Sequence, residues 1–181
     1  SPIFHEISDD VFKKIKSDSN FLFVDPQGFL RQKDSNGNVI LKKTDLDLSD
    51  VDAIKINPEE GQNIVSGSHD EMMLALQKKG IEYVLLTNKV DVSLLVKNRV
   101  YSLRLPNKTT HDTTGIGDIF CSTFTCTMLK EKDFLWALCF AAGSAQAALE
   151  SNNVGLQKIP KKGMVENNAS YFYNLVDFRD L

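Results

Sequence analysis

Short runs of apolar residues alternate along this chain with segments in which apolar residues recur at helical spacing. Three continuous apolar runs predict buried strands, at residues 21–24, 53–56 and 83–87. Helical spacing predicts a helix after Ser8 and further helices at residues 70–79, 118–130 and 133–149. Alternation of this kind is typical of an α/β fold, in which helices flank a mostly parallel sheet.

Two hairpins are predicted between these elements. The first covers residues 27–43, with Asn36-Gly37 at its turn, and the second covers residues 92–105, with Lys97-Asn98 at its turn. The sequence contains no internal repeat and no low-complexity linker. It therefore predicts a single α/β domain over residues 1–181.

Composition and charge exclude several classes of protein. Hydrophobic residues make up 42% of the chain and charged residues 25%, with a net charge of -3 and no run of lysine or arginine, so we expect no nucleic-acid partner. The longest apolar stretch, residues 134–149, is too short to span a bilayer, so we expect no membrane partner. Three cysteines lie in predicted helices without metal-type spacing, which favours a reducing, cytoplasmic location.

A glycine-rich turn precedes the helix predicted at residues 118–130. Gly115 and Gly117 flank Ile116 and lie between two aspartates, Asp112 and Asp118. Backbone N–H groups at such a turn, together with the positive end of the helix dipole, favour an anion. Asp118 follows directly, where its carboxylate could accept a proton from a hydroxyl group. The alternative is purely structural, because Gly-x-Gly turns and capping aspartates are common at helix starts.

Polar residues also follow the predicted strands. Asp25, Asn57 and Thr87 each come at or near the end of a buried run. In α/β sheets, ligands bind at the carboxyl ends of the strands. These three positions therefore indicate the edge of the sheet at which a site is expected.

Two motifs in the sequence resemble those of a known family. Residues 112–118, Asp-Thr-Thr-Gly-Ile-Gly-Asp, are similar to the Asp-Thr-x-Gly-Ala-Gly-Asp signature of the ribokinase-like (PfkB) carbohydrate kinases, with Ile116 in place of alanine. Residues 57–60, Asn-Pro-Glu-Glu, match that family's Asn-x-x-Glu motif. The resemblance implies a ribokinase-like three-layer α/β sandwich.

The resemblance also implies an activity, the transfer of a phosphoryl group from ATP to a hydroxymethyl group of a sugar or nucleoside. Asp118 would be the base that takes the hydroxyl proton. The backbone amides of the turn would form an anion hole for the transferred group; they belong to Gly115, Ile116 and Gly117. Asn57 and Glu60 would act on the Mg²⁺–nucleotide complex, with Glu60 reaching the metal through water.

Further ligand contacts follow from the same resemblance. Asp112 and Thr114 correspond to positions that hold a monovalent cation, K⁺, in ribokinase-type members. Small or polar residues at matching positions would border the nucleotide: Thr87, Thr114, Ala142, Gly143, Asn153 and Gly155.

The sequence departs from the family pattern in two ways. The family's Thr-x-Gly-x-x-Gly after the third strand is replaced by Thr-Asn-Lys-Val-Asp at residues 87–91, without either glycine. The family's N-terminal strands, sugar-binding Gly-Gly region and β lid have no counterpart in this sequence. We therefore expect a C-terminal fragment that is inactive alone and that pairs, through an open sheet edge, with a second copy or with the missing part. The alternative function is a catalytically weak nucleotide-binding or interaction protein.

Overall fold

The computed structural model describes residues 2–106 and 112–181, and these residues form an α/β fold. Six strands lie in one sheet in the order β1-β4-β5-β6-β7-β8, and two others, β2 and β3, form a separate hairpin. The strands are β1 (Phe23–Val24), β2 (Arg31–Lys33), β3 (Val39–Leu41), β4 (Ala53–Ile56), β5 (Tyr83–Asn88), β6 (Asp91–Val96), β7 (Arg99–Arg104) and β8 (Asp177–Asp180). The helices are α1 (Asp9–Asp18), α2 (Gln27–Leu30), α3 (Pro58–Ile64), α4 (His69–Lys78), α5 (Ile116–Glu131), α6 (Phe134–Glu150) and α7 (Lys162–Tyr173).

The three apolar runs form the parallel part of the sheet. β1 pairs with β4 and β4 pairs with β5, both in parallel, with Ala53 opposite both Phe23 and Tyr83. All four residues of β4 are buried. This explains why apolar residues do not alternate with exposed polar ones in this strand, in which Lys55 is the one polar residue. The predicted α/β class with a mostly parallel sheet flanked by helices is confirmed.

Both predicted hairpins are present. In the first, β2 and β3 are antiparallel, and Gly37 at the turn has a left-handed φ of 82°. Its first strand begins later than the apolar pair Phe29-Leu30, because those residues lie in the short helix α2 and are buried. In the second hairpin, Lys97 and Asn98 both have positive φ, as a two-residue turn of the primed type requires.

One strand has no signal in the sequence. β8 is the last strand in the order of the sheet, next to β7, and all four of its residues are exposed. A strand without a buried face has no apolar alternation, so the hydrophobic pattern could not reveal it.

The chain divides into two compact units, and the single domain over residues 1–181 stays a prediction. The first unit contains residues 1–88, 93–100 and 179–181, and the second contains residues 89–92 and 101–178. β6, β7 and β8 each contribute residues to both units. The division therefore does not follow the order of the chain, and no linker marks it in the sequence.

Each unit has its own apolar interior. In the first unit, residues of β4, β5, α1 and α4 form one cluster that includes Phe12, Ile54, Met72, Leu76 and Val84. In the second, α6 packs against α5 and α7, and eleven of its residues are buried. Among the helices of the described residues, none combines the length and apolarity that crossing a membrane requires.

Candidate active site

The Asn-x-x-Glu motif of the first unit forms a capping box at the start of α3. The side chain of Asn57 accepts a hydrogen bond from the backbone N–H of Glu60 at 2.8 Å, and Oε2 of Glu60 accepts one from the N–H of Asn57 at 2.8 Å. Pro58 at the first helical position completes the N-terminal signature. The motif thus has a local structural role, which fixes the position of the Glu60 carboxylate.

The Glu60 carboxylate is buried beside an ion pair. Lys55 Nζ donates to Asp25 Oδ2 at 2.8 Å and lies 3.8 Å from Glu60 Oε2. Asp25 also accepts the backbone N–H of Gln27 at 3.2 Å, so it both caps the turn after β1 and pairs with the lysine. The other oxygen, Glu60 Oε1, has no hydrogen-bond partner among the residues that the structure describes.

The environment of Glu60 shifts its protonation equilibrium. Glu60 is 1% exposed, and burial raises its pKa above the ordinary value. The positive charge of Lys55 opposes this effect, whereas the negative charge of Asp25 adds to it. Lys55 thus faces two carboxyl groups, and the positive charge of Arg31 also favours the ionised form of Glu60.

In the second unit, the glycine-rich turn leads directly into α5. Gly115 is the N-cap residue with φ 80°, a left-handed conformation that favours glycine. A Cβ atom at Gly115 would meet no heavy atom of the described residues within 4 Å, so the turn is open on that side. α5 begins at Ile116 rather than near residue 118, and this places Asp118 within the first helical turn.

The backbone N–H groups of this turn differ in whether they have a hydrogen-bond acceptor. The N–H of Ile116 donates to the carbonyl oxygen of Thr113 at 3.2 Å. The next two, those of Gly117 and Asp118, belong to the first turn of α5 and have no intrahelical acceptor. They point outward from the positive end of a 16-residue helix, which is where an anion binds most readily.

The Asp118 side chain has no hydrogen-bond or ion-pair partner among the residues that the structure describes. It is exposed, and only its backbone carbonyl takes part in a hydrogen bond among the described residues, from Ser122 Oγ at 2.7 Å. An acidic residue in the first turn stabilises the helix dipole modestly. A carboxylate in this position could also accept a proton, so the role of Asp118 as a base stays a prediction.

Asp112 and Thr114, the residues predicted to hold K⁺, instead surround a lysine. Lys158 Nζ donates to the carbonyl oxygen of Asp112 at 2.8 Å, to Asp112 Oδ2 at 2.9 Å and to the carbonyl oxygen of Thr114 at 3.2 Å. Hydrogen bonds from Thr114, and then from Lys158, hold the pKa of Asp112 well below its usual range. The residues present therefore do not fit a monovalent metal ion, because an ammonium group already uses their oxygens.

Two residues predicted to contact the nucleotide lie inside the helix packing. Ala142 is fully buried. A Cβ atom at Gly143 would come within 2.9 Å of backbone atoms of Val165 and Ala169, so α7 packs directly on this glycine. The prediction for Ala142 and Gly143 therefore requires correction: their small size serves the contact between α6 and α7, and they offer no surface to a ligand.

The remaining predicted contacts lie at the surface or near it. Thr87 is half-buried close to the end of β5, in the first unit. In the second unit, Asn153 is exposed and donates to Gln157 O at 3.1 Å, while Gly155 has φ 58° at the start of a 3₁₀ helix, Gly155–Lys158.

Two lysines were missed as site residues by sequence reasoning. Lys55 interrupts a buried strand, and a lysine at such a position is the only signal in the sequence that could have identified it, because its partner Asp25 is 30 residues away. Lys158 is 46 residues from Asp112, and no periodicity connects them.

Comparison with protein-family models assigns the chain. Residues 28–162 match the family described as pfkB family carbohydrate kinase. The match covers most of the chain, and it includes both motifs described above. The chain belongs to the pfkB family of carbohydrate kinases. No curated protein sequence matches it.

Solved structures show the same fold at low sequence identity. A pyrophosphate-dependent myo-inositol-1 kinase, converted by mutation into a myo-inositol-3 kinase, matches with a TM-score of 0.77 and 18% identity over 94% of this chain and 61% of its own. Ribokinase from Thermotoga maritima matches with a TM-score of 0.72 and 17% identity over 92% and 55%. A ribokinase II-like protein from E. coli, in complex with ATP and Mg²⁺, matches with a TM-score of 0.60 and 15% identity over 67% and 40%.

These structures confirm the ribokinase-like fold. The chain spans less than two thirds of the length of each of the three proteins.

Proposed function

We propose that the protein to which this chain belongs transfers a phosphoryl group from ATP to a hydroxymethyl group of a sugar or nucleoside. The observation that carries the proposal is Asp118, whose exposed carboxylate makes no hydrogen bond or ion pair with the other described residues and lies in the first turn of α5, where the N–H groups of Gly117 and Asp118 have no intrahelical acceptor. Phosphoryl transfer requires positioning and charge stabilisation more than covalent participation by the protein. A base beside an anion-binding turn supplies both.

In this proposal Asp118 accepts the proton of the attacking hydroxyl group. The amides of Gly115, Ile116 and Gly117 stabilise the transferred phosphoryl group, and the N–H of Asp118 adds to them. Because the N–H of Ile116 already donates to Thr113, its contribution requires that this bond be shared. Gly117 and Asp118 therefore supply the stronger part of the anion hole.

The Glu60 cluster supports a role for Mg²⁺. Mg²⁺ keeps several of its waters and binds through few carboxylates. Oε1 of Glu60 is a buried acceptor without a partner among the described residues, and a metal-bound water is a donor of the kind it lacks. When bound, Mg²⁺ would supply positive charge to the phosphates, while Asn57 holds Glu60 in position through the capping box.

The phosphoryl donor requires its own test. The segment at residues 87–91 lacks both glycines of the family pattern, and Lys89 there has a left-handed φ of 55° in the two-residue link from β5 to β6. A similar structure is that of a pyrophosphate-dependent kinase. Inorganic pyrophosphate therefore belongs in the donor panel beside ATP.

The proposal is tested in the whole protein that contains this chain. Turnover is measured with Mg²⁺, each donor, and a panel of sugars, inositols and nucleosides, for the wild type and for Asp118→Asn. We expect the substitution to lower kcat by about 10²-fold or more while leaving the melting temperature nearly unchanged, because general-base catalysis contributes a factor of this size. Glu131→Gln, which removes a similar exposed charge from the other end of α5, should leave turnover intact. Retention of full activity by Asp118→Asn would refute the role of this residue.

A second candidate function is a catalytically weak nucleotide-binding or interaction protein, and the altered segment at residues 87–91 favours it. Saturable binding of Mg²⁺–ATP without phosphorylation of any acceptor would support this alternative. A cytoplasmic location and the absence of turnover by the 181-residue chain alone stay predictions. So does pairing with a second copy, or with a segment equivalent to the N-terminal part of other family members.

A further inference from the structure

Lys158 is buried in the second unit among oxygen atoms of the segment before the glycine-rich turn. It is the last residue of the 3₁₀ helix Gly155–Lys158 and is 2% exposed. An ammonium group has three N–H donors, and the three acceptors around Nζ match that number. Two of them are backbone carbonyls of Asp112 and Thr114, and the third is the Asp112 carboxylate.

This set of oxygens has the chemistry of a cation site. Backbone carbonyl oxygens can replace the hydration shell of K⁺, and a carboxylate neutralises its charge. A buried lysine without such partners would be strongly unfavourable, so the site and the side chain depend on each other. A second cation on the same oxygens would lie close to the ammonium group and be repelled by it.

The location of the site gives it a consequence for the turn. Thr114 is adjacent to Gly115, the N-cap of α5, and the Thr114 N–H donates to Asp112 Oδ1 at 2.8 Å. Lys158 and this hydrogen bond together fix both carboxylate oxygens of Asp112 and the Thr114 carbonyl. The conformation of the segment that enters the anion-binding turn is therefore set by a side chain from a distant part of the sequence.

We propose that the Lys158 ammonium group is a built-in substitute for a monovalent metal ion, so that this protein orders its glycine-rich turn without K⁺. Lys158 is then a positioning residue that acts through Asp112 and Thr114. The link from the ordered turn to phosphoryl transfer rests on the proposed function. The replacement of K⁺ by the ammonium group does not depend on that function.

The ion dependence is tested first by thermal unfolding in KCl and in choline chloride at equal ionic strength. We expect the wild-type melting temperature to be the same in both salts. Lys158→Ala, which removes the ammonium group and leaves space, should unfold at a lower temperature in choline chloride and recover part of the loss in KCl, with a saturable dependence on K⁺. A saturable rise in the wild-type melting temperature with K⁺ would overturn the proposal, and this result does not require that any variant folds.

A matched control variant, Lys162→Ala, separates the effect of removing the buried Lys158 from the effect of removing any lysine. Lys162, four residues further along, has a side chain that is 78% exposed, so Lys162→Ala should unfold at nearly the wild-type temperature in both salts. If Lys158→Ala is as stable as Lys162→Ala, or if K⁺ fails to restore any of its stability, the proposal is wrong.

The positioning role is tested in the whole protein by the dependence of kcat on K⁺. Wild-type turnover should be equal in KCl and choline chloride, whereas turnover by Lys158→Ala should fall about tenfold or more and rise with K⁺ because the base and anion hole lose their alignment. Turnover by Lys158→Ala equal to that of the wild type in choline chloride would refute this role. If no donor and acceptor pair gives turnover in the wild type, the proposed function fails, and the unfolding experiment still decides the question of the ion.

Discussion

Nζ of Lys55 lies 2.8 Å from Oδ2 of Asp25, and both side chains are buried. The same ammonium group is 3.8 Å from Oε2 of Glu60, so Lys55 interacts with two acids. Removal of charged groups from water is unfavourable, and pairing between opposite charges offsets this cost only while all the partners are present. The stability of the first unit therefore depends on this charged cluster at the carboxyl ends of β1 and β4.

Removal of the lysine should be strongly destabilising. Lys55→Met keeps a side chain of similar length but leaves Asp25 and Glu60 without their positive partner, and we expect a loss of about 3–5 kcal/mol in the free energy of unfolding. Chemical denaturation measures this loss. The double variant Lys55→Met with Asp25→Asn should recover part of it, since fewer charges remain unpaired. A Lys55→Met protein as stable as the wild type would contradict this interpretation of the cluster.

The pH dependence of stability should report the raised pKa of Glu60. Because the pKa of Glu60 is higher in the folded protein than its ordinary 4.5, its contribution to stability is present below pH 4.5 and is lost as pH rises through the folded pKa. Relative to Glu60→Gln, the wild type should therefore lose about 1.4 kcal/mol per unit of pKa shift as the pH is raised from the acidic range to neutrality. Glutamine retains an acceptor for the capping box, so the helix start is preserved.

Glu71 provides a control of opposite sign. It occupies the same position in the capping box of α4, is exposed, and has a pKa lowered by hydrogen bonds from Ser68. Its stabilisation is present above pH 4.5 and is lost as pH falls through the folded pKa. Denaturation curves of Glu60→Gln and Glu71→Gln over a pH series should show these opposite trends relative to the wild type. Parallel trends would show that burial of Glu60 does not control its protonation.

Variants of the two capping boxes distinguish an effect on stability from an effect on ligand binding. Asn57→Ala and Ser68→Ala should each lower the free energy of unfolding by about 1 kcal/mol, because each removes the N-cap acceptor of a helix. Only Asn57→Ala should also weaken binding of Mg²⁺–ATP, measured by calorimetry in the whole protein, since it releases Glu60. Equal nucleotide affinities for the two variants would leave the Asn-x-x-Glu motif with a structural role alone.

Two glycines of the second unit should respond in opposite ways to substitution by alanine. At Gly143 the added Cβ atom meets backbone atoms of α7 at 2.9 Å, and we expect a loss of about 1–3 kcal/mol from forced separation of α6 and α7. At Gly163, in the first turn of α7, the Cβ atom meets no atom of the described residues within 4 Å, and alanine should stabilise the helix by about 0.5 kcal/mol. Thermal unfolding of both variants measures the contrast. Stabilisation by Gly143→Ala would restore the idea of an open, ligand-facing surface there.

The hydrophobic pattern was sufficient for most of the fold. Continuous apolar runs located β4 and β5, and the turn residues Asn36-Gly37 and Lys97-Asn98 located both hairpins. These signals are local, since they depend on the burial of one segment or the geometry of one turn. The hydrophobic pattern gives no sign of β8, because all its residues are exposed. The predicted start of the first hairpin is wrong, because the buried residues Phe29 and Leu30 lie in the short helix α2, and buried apolar residues are compatible with a helical turn as well as with a strand.

The candidate site was only partly accessible to sequence reasoning. The motifs around Asp118 and Asn57 are contiguous, so they could be recognised from the printed chain. The partners that determine their chemistry are distant in sequence: Lys55 is 30 residues from Asp25, and Lys158 is 46 residues from Asp112. The small residues of α6 misled the prediction, because close packing of two helices selects alanine and glycine as strongly as a flat ligand does.

β8 closes one side of the six-stranded sheet with a strand that is mostly charged. Arg99 pairs with Asp180, and Arg179 pairs with Asp70, so polar side chains line this edge. To extend the sheet at this edge, a strand from another molecule would have to dehydrate these charged groups before it formed any backbone hydrogen bond. The edge thereby discourages fibrous self-assembly, and the protection weakens at high ionic strength, where dissolved salt screens the charges.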